Sequence, residues 1–305
     1  MLKVLSVPRM RACIIFNPTA RGDKAKRFRR ELSHIAGDLV LRPTTHAGEA
    51  TILARQAVAE GFDTIIAAGG DGTVSEIVHG VATAESGLEQ TRIGIVPLGT
   101  MNVLARELNL PQDLHSAWNV LKTGHEIRID LPCAEFGAEP HKERRFFVQL
   151  AGAGLDARAV AAVDWDWKKR VGPVAYLMAG LRVLMTDRPI VHAKMGNQTT
   201  EGELILIGNG RFYGGSVPMF PQGNMRDGLL EVRVIPRVTL FGIARFAWAW
   251  IWNRGFTLKG ERFLRAAEVE LASIDKVPFE VDGDNAGFLP VRFSVQREAL
   301  RIIVP

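Results

Sequence analysis

Ile65-Ile66-Ala67-Ala68-Gly69-Gly70-Asp71-Gly72-Thr73-Val74-Ser75-Glu76-Ile77-Val78 is the stretch on which the rest of the chain is organised. Its short apolar run reads as a buried strand. The glycines around Asp71 read as a turn whose backbone comes very close to another group. Val74, Ile77, Val78 and Val81 then fall at helical spacing, with Gly80 near the expected stop. Thr73 and Glu76 have the spacing of a capping box, which predicts a helix that begins right at the loop. Helix-start amides and the positive end of the helix dipole make an anion site. A carboxylate among those amides repels phosphate unless a cation lies between them, so Asp71 is read as facing a magnesium-bound polyphosphate. The alternative is a glycine-rich strand-to-helix turn that only packs tightly.

Outward from this stretch the same alternation repeats. Arg11 to Phe16 reads as a first strand, closed by a turn at Asn17-Pro18-Thr19-Ala20-Arg21-Gly22. Asp23 can cap a following helix with an inward stripe of Phe28, Leu32 and Ile35. Arg21, Lys24, Lys26, Arg27, Arg29 and Arg30 crowd that helix; most read as a solvated face, and only Arg21 and Lys24 as a positive rim to a phosphate site. Without interleaved aromatics the cluster does not indicate nucleic acid. Leu39 to Leu41 reads as a second strand, then a helix with Ile52, Leu53 and Ala57 ends at Gly61. Beyond the glycine loop, Ile93 to Pro97 is another apolar strand, and Leu98 to Asn102 turns into a helix with Val103, Leu104 and Leu108. Strand, turn and helix so alternate through about the first 125 residues, the pattern of a Rossmann-like parallel sheet with helices on its faces. Ligands of such sheets bind at the carboxyl ends of the strands, where these turns lie.

From Ile127 the texture changes. Ile127–Leu131, Arg145–Leu150, Glu203–Ile207, Leu229–Ile235, Glu268–Ala272, Val277–Val281 and Val291–Val295 read as strands between turns such as Asn209-Gly210 and Asp227-Gly228. This predicts an antiparallel β-sandwich as a second domain. Two helical stretches interrupt it: about 157 to 185, with Trp165, Trp167 and Lys168 to Arg170, and Leu240 to Trp252. Each reads as a cap over a sheet, or as an interfacial segment that touches a membrane without crossing it. At 305 residues two domains are expected, placed at 1–130 and 131–305 with the last residues returning to the first. No uninterrupted apolar run reaches about 18 residues, and Met1 to Met10 shows no secretory signal. Cys13 and Cys133 lie in expected strands and read as buried reduced thiols, which fits a cytoplasmic protein. The net charge of +5 suits anionic partners, phosphates or a membrane surface alike.

Together these residues resemble the diacylglycerol kinase catalytic-domain family, bacterial soluble lipid kinases related to sphingosine and ceramide kinases. The resemblance spans nearly the whole chain. It rests on Asn17-Pro18 with Gly22, Gly69 to Thr73, Pro97 to Thr100 with Asn102, Ala105 and Arg106, then Asp130, Gly152 to Asp156, Asp227 to Leu230, and Asp282-Gly283. The glycine–aspartate loop alone is shared with NAD kinases and phosphofructokinases; the ordered set is specific. It implies an N-terminal ATP-binding domain and a C-terminal β-rich lipid-substrate domain. Nucleotide contacts would fall on Asn17, Pro18, Thr19, Ala20, Arg21, Thr44, Gly70, Asp71, Gly72, Thr73, Val74, Ser75, Glu76 and Thr100. A structural magnesium would sit at Asn224, Asp227 and Leu229, and Asp71 with Asp130 would face the nucleotide's own magnesium. Asp284 would be the proton acceptor, so the catalytic pair is Asp284 and Asp71. The partner implied is a lipid at a membrane surface, touched peripherally from the cytoplasmic side; a homodimer is left open.

Two positions depart from that pattern. Asp284 stands where bacterial members carry a glutamate, which keeps the carboxylate but withdraws it by one methylene. Val103 stands where they carry an aspartate, which removes one charge from the acidic network. Two rivals to a lipid kinase follow: an NAD kinase-like enzyme acting on a soluble hydroxyl, and a nucleotide-sensing protein with little turnover.

Overall fold

The computed structural model describes residues 11–18, 39–155, 188–252 and 254–305, together with Glu31. Outside them lie Thr19, Ala20 and Arg21, the expected cap at Asp23 and its helix, Asp156, and the helix expected at about 157 to 185. The chain divides into two compact units, Met1–Arg128 with Leu300–Pro305, and Ile129–Ala299.

The first unit runs β1 (Ala12–Phe16), β2 (Val40–Pro43), α1 (Glu49–Ala59), β3 (Thr64–Gly69), α2 (Asp71–Thr83), α3 (Gly87–Gln90), β4 (Arg92–Pro97), α4 (Val103–Glu107) and α5 (Leu114–Thr123). Its strands lie in the order β2-β1-β3-β4 and all pair in parallel. Residues 300–305 end the long strand Val291–Val304 and add a parallel neighbour to β4, pairing Ile302 with Ile93. Arg301 fixes this end through Glu126, 2.7 Å away. Every residue of β1 and β3 is buried, because helices cover both faces of a parallel sheet. That burial is why these strands read as unbroken apolar runs. α1 and α2 pack backbone to backbone, since a Cβ on Gly80 would stand 2.5 Å from the Thr51 carbonyl. The chain passes from β1 to β2 on one side, then places β3 on the other. The carboxyl ends of β1 and β3 therefore flank a topological switch point, where open α/β sheets bind ligands.

The second unit holds β5 (His125–Phe136, which begins in the first unit), β6 (Glu143–Phe146), β7 (Leu150–Gly154), β8 (Val191–Met195), β9 (Gln198–Gly202), β10 (Leu204–Gly208), β11 (Phe212–Tyr213), β12 (Val217–Pro218), β13 (Leu230–Ile235), α6 (Leu240–Trp252), β14 (Arg262–Ala266), β15 (Glu268–Ala272), β16 (Pro278–Val281), β17 (Asp284–Phe288) and β18 (Val291–Val304). One antiparallel sheet has the order β14-β13-β10-β7-β16-β17. The other places β9, β8, β15 and β18 side by side, also antiparallel. Their inner faces meet over Ile205, Val232, Val234, Val269, Leu271, Phe279 and Phe293. Phe279 and Phe293 stand edge to face with ring centroids 6.0 Å apart. This is an antiparallel β-sandwich. α6 covers the outer face of the six-stranded sheet, with Ala249, Phe246 and Trp250 against Leu150, Leu206 and Phe220.

The stretch expected as one strand, Arg145–Leu150, is two. The break falls at 147–149, where the Asp282 carboxylate accepts the amides of Val148 and Gln149 at 2.9 Å and of Leu150 at 3.2 Å. Cys13 and Cys133 are buried free thiols, and burial pushes each thiol's pKa up to about 11.

Candidate active site

In the first unit the carboxyl ends of four parallel strands deliver Asn17, Thr44, Gly70 and Leu98 to one edge. Backbone bonds tie these turns together. The Asn17 amide donates to the Ala68 carbonyl at 3.3 Å, Thr44 to Phe16 at 2.9 Å and Leu98 to Gly69 at 2.8 Å. The expected glycine loop is shorter than it reads: β3 runs to Gly69 and α2 starts at Asp71, so Gly70 alone makes the turn.

The capping box does not form: the residue before α2 is Gly70, which has no side chain to cap with. Thr73 stands in the first helical turn rather than before it, so its hydroxyl cannot serve as a cap. Glu76 turns instead to the start of α1, where its carboxylate accepts the amides of Gly48 at 2.8 Å and Ala50 at 3.1 Å. A carboxylate belongs there, because these amides lack helical acceptors and carry the positive dipole end. The carboxylate of Glu76, expected as a nucleotide contact, thus serves as a cap for the neighbouring helix. Glu76→Ala is expected to cost about 1 kcal/mol of stability, read as a lower thermal midpoint.

The Val74 amide donates to the Gly70 carbonyl at 3.1 Å and closes the first turn of α2. Helix geometry leaves the amides of Asp71, Gly72 and Thr73 without a carbonyl inside the helix. A Cβ on Gly70 would stand 3.2 Å from Gly99 Cα, and one on Gly99 would stand 2.6 Å from Gly70 Cα. The turns after β3 and β4 are thus packed main chain against main chain. Gly72 differs: a Cβ there would meet nothing within 4 Å among the described residues, and its φ lies outside the left-handed range. Among the described residues neither packing nor conformation calls for glycine at 72.

Asp71 Oδ1 accepts the Val103 amide at 2.6 Å. Position 103 therefore reaches Asp71 through its main chain, while the valine side chain is buried. Asn102 directly precedes α4 with φ +46° and donates from Nδ2 to the Gly99 carbonyl and to Gln112 Oε1, both at 3.1 Å. Thr100 is exposed beside it. Thr44 is buried, its hydroxyl 3.5 Å from the Phe16 carbonyl. Val74 and Ser75 are buried within α2 and Pro18 follows β1.

In the second unit Asn224, Asp227 and Leu229 share one turn. Asn224 Oδ1 accepts the Arg226 amide at 3.1 Å and Asp227 Oδ1 the Leu229 amide at 3.0 Å, while Asp227 Oδ2 pairs with Arg265. Asp130 is fully buried and clamps this turn, accepting the Gly228 amide at 2.6 Å and the Glu298 amide at 2.8 Å. Expected as a partner of Asp71 at magnesium, Asp130 has both carboxylate oxygens committed to backbone amides of its own unit. Asn209 Nδ2 links the Asp130 carbonyl, at 3.1 Å, to the Val148 carbonyl, at 2.9 Å. Asp282 (φ +49°) and Gly283 (φ +83°) form the two-residue turn between β16 and β17. Asp284 is the first residue of β17, paired with Val281 rather than inside the turn. Its carboxylate is half-buried and has no hydrogen-bond or ion-pair partner among the described residues.

The pattern described as "Diacylglycerol kinase catalytic domain" matches residues 11–134, and "YegS C-terminal NAD kinase beta sandwich-like domain" matches residues 149–304. The chain belongs to the diacylglycerol kinase catalytic-domain family. A protein named diacylglycerol kinase from Staphylococcus carnosus (strain TM300) is 28% identical over 97% of this chain and 96% of its own length. One from Staphylococcus aureus (strain bovine RF122 / ET3-1) is 27% identical over 97% and 93%. A crystal structure of a diacylglycerol kinase from Bacillus anthracis str. Sterne shares the fold, with a TM-score of 0.75 at 24% identity over 97% of both chains.

Sequence reasoning missed the tasks of Asn209, Asp282 and Glu298: the Glu298 amide meets Asp130, while Asn209 and Asp282 join the Asp130 clamp to the hairpin bearing Asp284. Asn209-Gly210 was legible only as a turn and Asp282-Gly283 only as a motif of the resemblance; their side-chain bonds reach residues far away in sequence.

Proposed function

We propose that this protein is an ATP- and magnesium-dependent lipid kinase that phosphorylates a hydroxyl of a diacylglycerol- or sphingoid-like lipid, with residues 1–130 binding nucleotide and 131–305 the lipid. The observation that carries this is the space over Gly72 at the start of α2, open among the described residues and beside the switch point of the sheet. Together with family membership it supports phosphate binding at the amides of Gly72 and Thr73. Asp71, aligned by the Val103 amide, faces the cation that travels with the phosphates. Magnesium, when bound, neutralises the charge that builds up on the transferred phosphoryl group. Asn17, Pro18, Thr44 and Thr100 stand on the same sheet edge and are proposed to line the nucleotide.

In the transfer itself the lipid hydroxyl oxygen forms a bond to the γ-phosphorus as the bond to ADP breaks, and the hydroxyl proton passes to the Asp284 carboxylate. A second cation is proposed at the turn of Asn224, Asp227 and Leu229. Its donors would be one amide oxygen, one carboxylate and one main-chain carbonyl, a set that suits a hard ion. Among the described residues no three His, Cys, Asp or Glu side chains gather to hold a metal, so this ion depends on the shape of the turn.

The description of the C-terminal match as NAD kinase-like keeps a soluble acceptor as the second reading. Radiolabelled ATP offered with extracted lipids, with NAD and with no acceptor separates them. Label in an organic-phase product is expected; label in NADP, or binding without transfer, would overturn the lipid reading. Asp71→Asn is expected to lower transfer by about 10²–10³-fold, the scale of losing one group that stabilises transition-state charge. Gly72→Val is expected to weaken binding of magnesium–ATP by about tenfold or more in a calorimetric titration, because a branched side chain fills the space a phosphate needs.

A further inference from the structure

From Val232 to Gly260 the chain contains no Asp or Glu, yet it carries five cations. Arg233 is buried and paired with Glu261. The other four, Arg237, Arg245, Arg254 and Lys259, are exposed and have no ion pair or side-chain hydrogen bond among the described residues. Arg245 lies on α6 and the other three flank it, and the two faces of this helix differ sharply. Phe246, Ala249 and Trp250 turn to the sheet and Gly242 to Leu258, and the Trp250 indole donates to the Gly214 carbonyl at 2.9 Å.

On the other face Leu240 is 66% exposed, Phe241 71%, Trp248 49%, Ile251 64% and Trp252 63%. At 100° per residue these five and Arg245 fall within an arc of roughly 140°, one continuous stripe. Large apolar side chains gathered on one exposed stripe mark a contact surface. No helix among the described residues is long and apolar enough to cross a membrane, and thirteen residues give a rod of only about 20 Å against a hydrocarbon core of about 30 Å. α6 is suited to lie on a surface, not to pass through one. The unpaired cations narrow the choice of surface. A second copy pressed face to face would set each cation near a like charge, whereas anionic lipid accepts both the stripe and the cations.

We propose that α6 is the element by which this protein rests on a bilayer containing anionic lipid. Phe241, Trp248, Ile251 and Trp252 enter the boundary between headgroups and acyl chains, and Arg237, Arg245, Arg254 and Lys259 meet lipid phosphates. The proposal rests on the lipid-kinase reading for its purpose, but docking is measured without nucleotide, so the two can fail separately.

The test is co-sedimentation of the full chain with phosphatidylcholine vesicles, with and without phosphatidylglycerol. The wild type is expected to bind the anionic vesicles and to lose binding as salt rises. Trp248→Ser/Ile251→Ser/Trp252→Ser is expected to bind about tenfold or more weakly, with Trp250 kept because it packs against the sheet. Arg245→Glu/Arg254→Glu is expected to lose about fivefold or more for each reversed cation. Phe241→Asp, at the other end of the helix, gives the same reading should the triple variant melt early. Variants that bind as well as the wild type, or a wild type that ignores anionic vesicles, would overturn the proposal. So would a dimer that the triple variant dissociates while vesicle binding persists.

Discussion

Asp284→Asn is expected to lower phosphoryl transfer by about 10²–10⁴-fold, the usual worth of a positioned general base, with the thermal midpoint unchanged. The stability half follows from what surrounds the residue. Its carboxylate holds no partner among the described residues, so the amide breaks no contact. The hairpin that presents it is fixed by other groups. Asp282 accepts the three amides of residues 148 to 150, and Glu280 accepts the Gly283 amide at 2.7 Å. Loss of rate without loss of stability is the mark of a group that acts on substrate. Asp284→Glu adds back the methylene that the resemblance to bacterial members implies at this position and is expected to keep most of the activity or raise it. Full activity in Asp284→Asn would remove this residue from the reaction.

Arg233→Met is expected to destabilise the protein by about 3–5 kcal/mol, the cost of breaking a buried ion pair from one side. The guanidinium is fully buried. It donates to Glu261 at 2.8 Å, to the Phe256 carbonyl at 2.8 Å and to the Met219 carbonyl at 3.2 Å, with its carbon 4.5 Å from the Phe256 ring centroid. Burial pulls its pKa below the ordinary arginine value, and Glu261 offsets part of that pull. Methionine fills similar volume but leaves Glu261, itself almost fully buried, facing carbonyl oxygens with no cation. The double change Arg233→Met/Glu261→Leu removes the stranded charge and is expected to recover much of the loss. Urea midpoints measure both; a single variant within about 1 kcal/mol of wild type would show that this pair is not the buried anchor described above.

The strands of the parallel sheet were legible because burial on both faces forces runs such as Ala12 to Phe16 and Thr64 to Gly69. β17 was not, since Asp284-Asn285-Ala286-Gly287-Phe288 has no strand pattern and is held by its hairpin register with β16. The same limit applies to α2. Spacing alone makes Thr73 and Glu76 look like one local motif, and nothing in spacing says that Glu76 instead faces another helix. Asp71 and Gly72 could be named from sequence because a strand-to-helix junction is a local pattern, and Asp284 because it stands at a position of the family motif. The tasks of Asp130 and Asp282 could not, because they bind amides 168 and 134 residues away, and only the folded sandwich brings those together. α6 was legible as both a sheet cap and an exposed apolar helix, and the structure gives one face to each.

The central claim is that the start of α2 grips the phosphates of a magnesium nucleotide. A crystal soaked with magnesium and a non-hydrolysable ATP analogue tests it most directly. Phosphate oxygens are expected within hydrogen-bond distance of the Gly72 and Thr73 amides, with the cation facing Asp71. Nucleotide bound elsewhere, with the space over Gly72 empty, would contradict the account.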